Sequence, residues 1–188
     1  MKKIVLCSVL MLGISVLMAQ NHYITKNNKS TVSGTSSLHE WTSEIREVNF
    51  SGDLTINNNV LEGIQNLTVE VPVKSIVSSK GSIMDNKTYD ALKSNTDPKI
   101  IFKLTKVNSI TPAAADYTAN VTGNLTVAGV TKPVTLEAKL KVGASVEVNL
   151  NYALKMTTFG IKPPVALLGT LKTGDEVKLK FNLTLTKT

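Results

Sequence analysis

Hydrophobic and polar residues alternate along most of this chain. The pattern is sharpest between Gly123 and Leu140. Leu125 and Val127 fall on one side there, with Asn124 and Thr126 on the other. After a break, Val134, Leu136, Ala138 and Leu140 share a face, while Thr135, Glu137 and Lys139 share the opposite one. A period of two is that of an antiparallel strand with one buried and one wet face. Gly129 and Pro133 bracket the predicted reversal between the two runs. The same alternation recurs in Phe50, Leu54 and Ile56, then in Leu67, Val69, Val71 and Val73, and in Phe102 and Leu104. It is longest from Val146 to Met156 and from Val177 to Leu185. A Ser/Thr-rich stretch after Val32 adds another strand, Gln20 to Asn28 an extended lead-in, and Asn57 to Asn59 and Thr111 to Asp116 read as connections. Roughly eight strands separated by turn residues predict an all-β antiparallel barrel or sandwich.

One segment breaks the period. In SIMDNKTYDALKSNTDP, Met84, Thr88, Ala91 and Leu92 recur at helical spacing. Ser82 followed three residues later by Asp85 suits a helix entry, and Asp97-Pro98 forbids continuation. A short helix from about Met84 to Ser94 is predicted, lying across one end of the barrel.

The N-terminus has a different character. Met1-Lys2-Lys3, an apolar run from Ile4 to Met18 and a small Ala19 form an export signal, too short to span a bilayer. The expected division is therefore a cleaved signal over 1–19 and a single domain over 20–188. The only cysteine, Cys7, lies inside the signal, so the mature chain is expected to carry no disulfide, thiol nucleophile or thiolate metal site. The formal charge is +7, and loss of Lys2 and Lys3 leaves 7 − 2 = +5. The lysines are spread over strand faces and aromatics are 5% of residues, which argues against nucleic-acid binding. At most they imply transient attraction to an anionic membrane surface.

The hairpin GNLTVAGVTKPVTLEAKL closely resembles the G-x-L-T-[IVL]-x-G-V-T-[KR]-P-V stretch of the YceI-like family. GTSSLHEW (Gly34 to Trp41) resembles a first-strand motif of that family. Asn95, Pro98, Ile100 and Phe102 fit its N-x-x-x-P-x-I-x-F run, and FGIKPP with Gly174-Asp175-Glu176-Val177 looks like its penultimate loop and last strand. The resemblance covers nearly the whole mature chain. It implies an eight-stranded, lipocalin-like barrel enclosing a hydrophobic tunnel that holds a polyisoprenoid or similar long-chain lipid, in a periplasmic or secreted carrier and not an enzyme.

The residues alone leave two readings open, because inward aliphatic rows suit a filled core as well as a tunnel. A filled barrel would be a structural or stress-response module acting through surface contacts. A tunnel would be lined by Trp41, Phe50, Leu54, Val69, Val71, Phe102, Leu104, Leu125, Val127, Leu136, Tyr152, Phe159 and Phe181. Its mouth would carry His39, Asp85, Asn86, Tyr89 and Lys162. A barrel left partly open could also pair as a homodimer. Catalytic patterns are missing: no G-x-S-x-G elbow, dinucleotide fingerprint or phosphate-binding loop is present. Lys172-Thr173-Gly174 lacks the S-x-x-K and S-D-N that would give such a triplet chemical meaning. The two histidines, His22 and His39, have no ligand cluster around them, so neither metal nor cofactor is expected.

Overall fold

The alternating runs pair with one another in chain order. The computed structural model describes residues 20–113, 116–166 and 170–188, so the export signal lies outside the described residues. β1 (Gln20–Asn28) and β2 (Ser30–Ser36) are two halves of one bent strand, and so are β3 (Trp41–Ile45) and β4 (Asn49–Asn57). β5 (Val60–Pro72) continues through a 3-10 turn (Val73–Ser75) into β6 (Ile76–Ser78). The remaining strands are β7 (Lys99–Ala113), β8 (Asp116–Val127), β9 (Val130–Val142), β10 (Val146–Lys155), the short β11 (Val165–Ala166) and β12 (Leu171–Lys187).

β1 pairs with β4 and β2 with β3 in the same register on either side of the bend, Gln20↔Thr55 to Ile24↔Ser51 and Ser30↔Ile45 to Gly34↔Trp41. β4 then pairs with β5 and β3 with β6. The order continues β5–β7–β8–β9–β10–β12, and β12 returns to both β1 and β2. Counting each bent strand once, eight antiparallel strands close on themselves as an up-and-down barrel, with the β9–β10 seam paired only from Ala138↔Leu150 to Val142↔Val146.

Local chemistry sets the turns. Asn58 and Asn59 both take left-handed backbone, as do Ala128 and Gly129, which is the two-residue turn matched to strand twist. The reversal is therefore at 128–129, and Pro133 lies inside β9 opposite Asn124. Proline is tolerated there because β10 pairs with β9 only over Ala138 to Val142, so no ladder donor is needed at Pro133. At the β1–β2 bend, Lys29 N–H donates to the Asn182 carbonyl and Asn182 Nδ2 donates back to the Lys29 carbonyl.

The helix α1 (Ser82–Ala91) begins and ends earlier than the sequence predicts. Gly81, at φ 85°, is its N-cap residue and supplies no side-chain capping bond. Asp85 instead reaches back to accept the Ser78 N–H at 2.6 Å, fastening the helix to the end of β6. Lys93, at φ 55°, turns the chain out of the helix before Pro98.

The two ends of the barrel differ in packing. At the end away from α1, Leu54 and Leu185 are fully buried, with Leu61, Ile64 and Val146 packed alongside in the main core. At the α1 end the inward rows meet a void.

Candidate functional site

A cavity of about 460 Å3 occupies the half of the barrel nearest α1. Its size lies in the usual range for small-ligand sites, about 300–1,000 Å3. Its walls come from the inward positions of almost every strand. Val69 and Val71 stand on β5, Phe102 on β7, Leu125 and Val127 on β8, Leu136 on β9, Tyr152 on β10 and Phe181 on β12. Leu136, Leu150, Tyr152, Leu154 and Phe181 point inward yet are only half-buried. Side chains interdigitating across a filled interior would be covered, as they are at the other end. The row is apolar and faces empty space.

Glycine and aromatic residues shape the wall. A Cβ on Gly123 would collide with the Phe102 ring and with the Lys103 carbonyl, so the Phe102 ring rests on the bare backbone of β8. Gly34 stands directly opposite Trp41, and a Cβ there would lie 2.6 Å from the indole. The Trp41 Nε1–H donates to the Thr35 carbonyl at 3.1 Å. Ser36 closes the turn that follows, its hydroxyl donating to the His39 carbonyl and accepting from the His39 N–H. GTSSLHEW is thus a hairpin that lays a tryptophan flat beside the cavity mouth.

Of the residues proposed from sequence to line the tunnel, Trp41, Phe50, Val69, Val71, Phe102, Leu125, Val127, Leu136, Tyr152 and Phe181 border the cavity. Leu54, Leu104 and Phe159 do not. Leu54 shares a face with Phe50 but lies four residues further along β4, in the packed end. Leu104 lies beyond the Phe102 ring and packs against the core, next to an irregularity in the β7–β8 register. Phe159 sits in the 3-10 turn Met156–Phe159 and is buried within the core, while Met156 and Ile161 on either side face the cavity.

At the mouth fewer of the expected residues meet the cavity. His39 borders the opening, its Nδ1 2.9 Å from the Glu40 carbonyl oxygen. Asp85, Asn86, Tyr89 and Lys162 do not border it. Asp85 is spent on the Ser78 N–H, and the Tyr89 hydroxyl donates to the Lys74 carbonyl. Burial, and secondarily the nearby Asp85 carboxylate, raises the Tyr89 phenol above its ordinary value. The helix presents Met84, Lys87, Thr88 and Ala91 to the cavity, with Lys80 just before it. That face was legible in the helical spacing of Met84, Thr88 and Ala91; a preference for polar residues at a mouth pointed to the wrong side.

Two carboxylates carry structural work away from the cavity. Asp53 accepts from Asn66 Nδ2 at 2.6 Å and from His22 Nδ1 at 2.8 Å, and these bonds hold its pKa below the usual carboxyl value. Asp175 accepts from the Thr157 hydroxyl at 2.6 Å and the Thr157 N–H at 2.9 Å, with the same result, and so pins the 3-10 turn that opens the mouth loop (156–164) to β12. Among the described residues no group of three or more His, Cys, Asp or Glu could hold a metal ion. No described helix is long and apolar enough to cross a membrane.

A closed antiparallel barrel of eight strands, packed at one end and hollow and apolar toward the other, defines a lipocalin-like fold. The YceI-like domain model matches residues 23–185, and the chain belongs to that family. Solved structures share the fold at low identity. BcnA of Burkholderia cenocepacia is 22% identical with a TM-score of 0.62, the alignment covering 84% of this chain and 96% of that one. A polyisoprenoid binding domain from Saccharophagus degradans is 12% identical at TM-score 0.66, over 90% of this chain and all (100%) of its own. The Campylobacter jejuni YceI protein is 17% identical at TM-score 0.56, over 100% and 99%. No curated protein matches the chain.

Proposed function

We propose that this protein is an exported lipid-binding protein that sequesters or transports one polyisoprenoid or similar long hydrocarbon chain inside its barrel. The carrying observation is the ring of inward aliphatic side chains that remain half-uncovered around the 460 Å3 cavity. Burying each methylene against such a wall is favourable by about 0.8 kcal/mol, so a flexible chain needs no polar partner along its length. From Val148 to Leu154, both on the wall, β10 advances six residues, about 20 Å, or roughly 15 Å along the axis at a barrel tilt near 40°. A carbon zigzag with bonds of about 1.5 Å advances about 1.3 Å per atom, so this stretch takes roughly a dozen carbons. The rest of the chain would lie under α1 and the mouth loop, which act as a lid. Binding is reversible encapsulation, and no reaction is assigned. The family membership and the basic-apolar-small pattern of residues 1–19 support export to the periplasm with cleavage after Ala19.

The test is thermal unfolding with added prenyl and fatty alcohols of increasing length. A ligand that binds only the folded form must raise the apparent stability. The expected result is a rise that grows with chain length and levels off once the cavity is full. No rise at any length would return the barrel to the surface-acting, non-carrier reading.

A further inference from the structure

We propose that the rim of the barrel mouth is a docking surface for an anionic lipid bilayer. Six large hydrophobic residues stand exposed among the described residues, and four of them, Leu38, Ile83, Met84 and Val165, lie at the mouth. Leu38 and Ile83 are the most exposed, at 70% and 74%. Hydrogen bonds join the segments that bear them into one rim. Ser37, beside Leu38, exchanges backbone and side-chain bonds with Lys172; Lys172 is the register partner of Val165; and Lys87 on α1 donates to the Val165 carbonyl at 3.4 Å. Met84 lies on the cavity face of α1, one turn before Lys87, and Ile83 adjoins it.

Charges of both signs surround this rim, within a chain of net charge +7: Lys80, Lys87, Lys162 and Lys172 stand at or beside the mouth, with Glu40, Asp90, an Asp85 bonded to the Ser78 N–H and an Asp175 bonded to Thr157. Exposed leucine and isoleucine flanked by lysines suit the boundary between headgroups and acyl chains, where apolar insertion and attraction to anionic lipid add together. A protein partner would be served by the apolar residues as well; an apolar cavity that opens among them and the net positive charge of the whole chain favour the bilayer. Among the described residues the opposite half carries only two, less exposed than Leu38 and Ile83 and set apart from each other: Val60 beside the polar Asn57–Asn59 turn, and Ile24 opposite Thr186 on β12. The cavity therefore opens on the one face fitted to meet lipid, and a chain could pass between membrane and barrel without crossing water. This role rests on the carrier reading, although the surface itself is tested without any cargo.

The experiment is flotation of the purified protein with vesicles of phosphatidylglycerol and phosphatidylethanolamine, and with vesicles of phosphatidylcholine alone. Binding to the anionic vesicles is expected, stronger than to phosphatidylcholine and falling as salt screens the lysines. The double variant Leu38→Ser/Ile83→Ser should lose at least tenfold in vesicle affinity. Lys80→Gln/Lys87→Gln should lose about tenfold or more and flatten the salt dependence. Val60→Ser, at the far end, should change nothing. Circular dichroism and melting temperature control for folding, above all for Lys87→Gln, since Lys87 is half-buried and donates to the Val165 carbonyl. Absence of binding to anionic vesicles, or an equal loss in Val60→Ser, overturns the proposal. So does a concentration-dependent dimer that the rim variants dissolve, which would assign the rim to a second copy. Thermal shifts with prenyl alcohols, measured without vesicles, report on the cavity separately, so failure of docking and failure of carriage are told apart.

Discussion

The same alternation of side chains builds both ends of this barrel, yet one end is solid and the other hollow. Leu54 and Phe50 stand on one face of β4, four residues apart. Leu54 is covered on all sides, whereas Phe50 borders the cavity. On β10, Val146 is buried in the packed end while Leu150, Tyr152 and Leu154 look into open space. Facing inward is thus a different property from being packed. A protein that leaves aliphatic side chains uncovered inside itself forgoes part of their hydrophobic contribution. The packed end and the ring of backbone hydrogen bonds must supply the stability that the open end does not.

This contrast is sharpest in mutants. Leu54→Ala or Leu185→Ala, at fully buried sites, should lower unfolding free energy by about 2–5 kcal/mol in denaturant titrations. Ligand-induced thermal shifts should survive once that offset is subtracted. Gly123→Ala comes next, since its Cβ must displace the Phe102 ring and meets the Lys103 carbonyl, at about 1–3 kcal/mol. Leu136→Ala on the open wall should cost only about 1 kcal/mol, because its atoms are already part-exposed to the cavity. Equal costs for Leu54 and Leu136 would break the comparison. Leu150→Trp should leave the melting temperature within a few degrees while abolishing the shift on adding a prenyl alcohol, since the void has room for the ring.

The smallest effect is electrostatic. Asp53 and Asp175 have pKa values lowered in the folded protein by their hydrogen bonds, to Asn66 and His22 and to Thr157 respectively. Their contribution is complete above the ordinary carboxyl value of 3.8 and is lost as pH falls through the lowered folded values. Asp175→Asn should therefore reduce stability at neutral pH slightly and flatten its fall between about pH 4 and pH 2, read from melting temperatures.

Sequence carried the strand faces, the barrel class and the family, because a period of two and turn residues are local properties. The GTSSLHEW motif was legible as a pattern but not as a reason; the reason is that Gly34 leaves space for the Trp41 ring across the hairpin. Height along the barrel was not legible. Alternation states which way Leu54 and Leu104 point, whereas the packed layer that takes them in is assembled from distant strands. The partners of the mouth residues were not legible for a related reason. Asp85 and Tyr89 are polar and near the opening, but Asp85 accepts the Ser78 N–H at the end of β6 and Tyr89 donates to the Lys74 carbonyl in the 3-10 turn before it. The His22–Asp53–Asn66 group joins residues 31 and 13 positions apart, and no local pattern announces it.

The most direct test of the hollow end is native mass spectrometry of the protein purified without detergent, beside Leu150→Trp prepared identically, each before and after incubation with a prenyl alcohol. The account predicts one bound hydrocarbon chain per barrel in the wild type, extractable into organic solvent, and none in the variant. A bare mass for the wild type under both conditions, or equal loading of the two proteins, would contradict it.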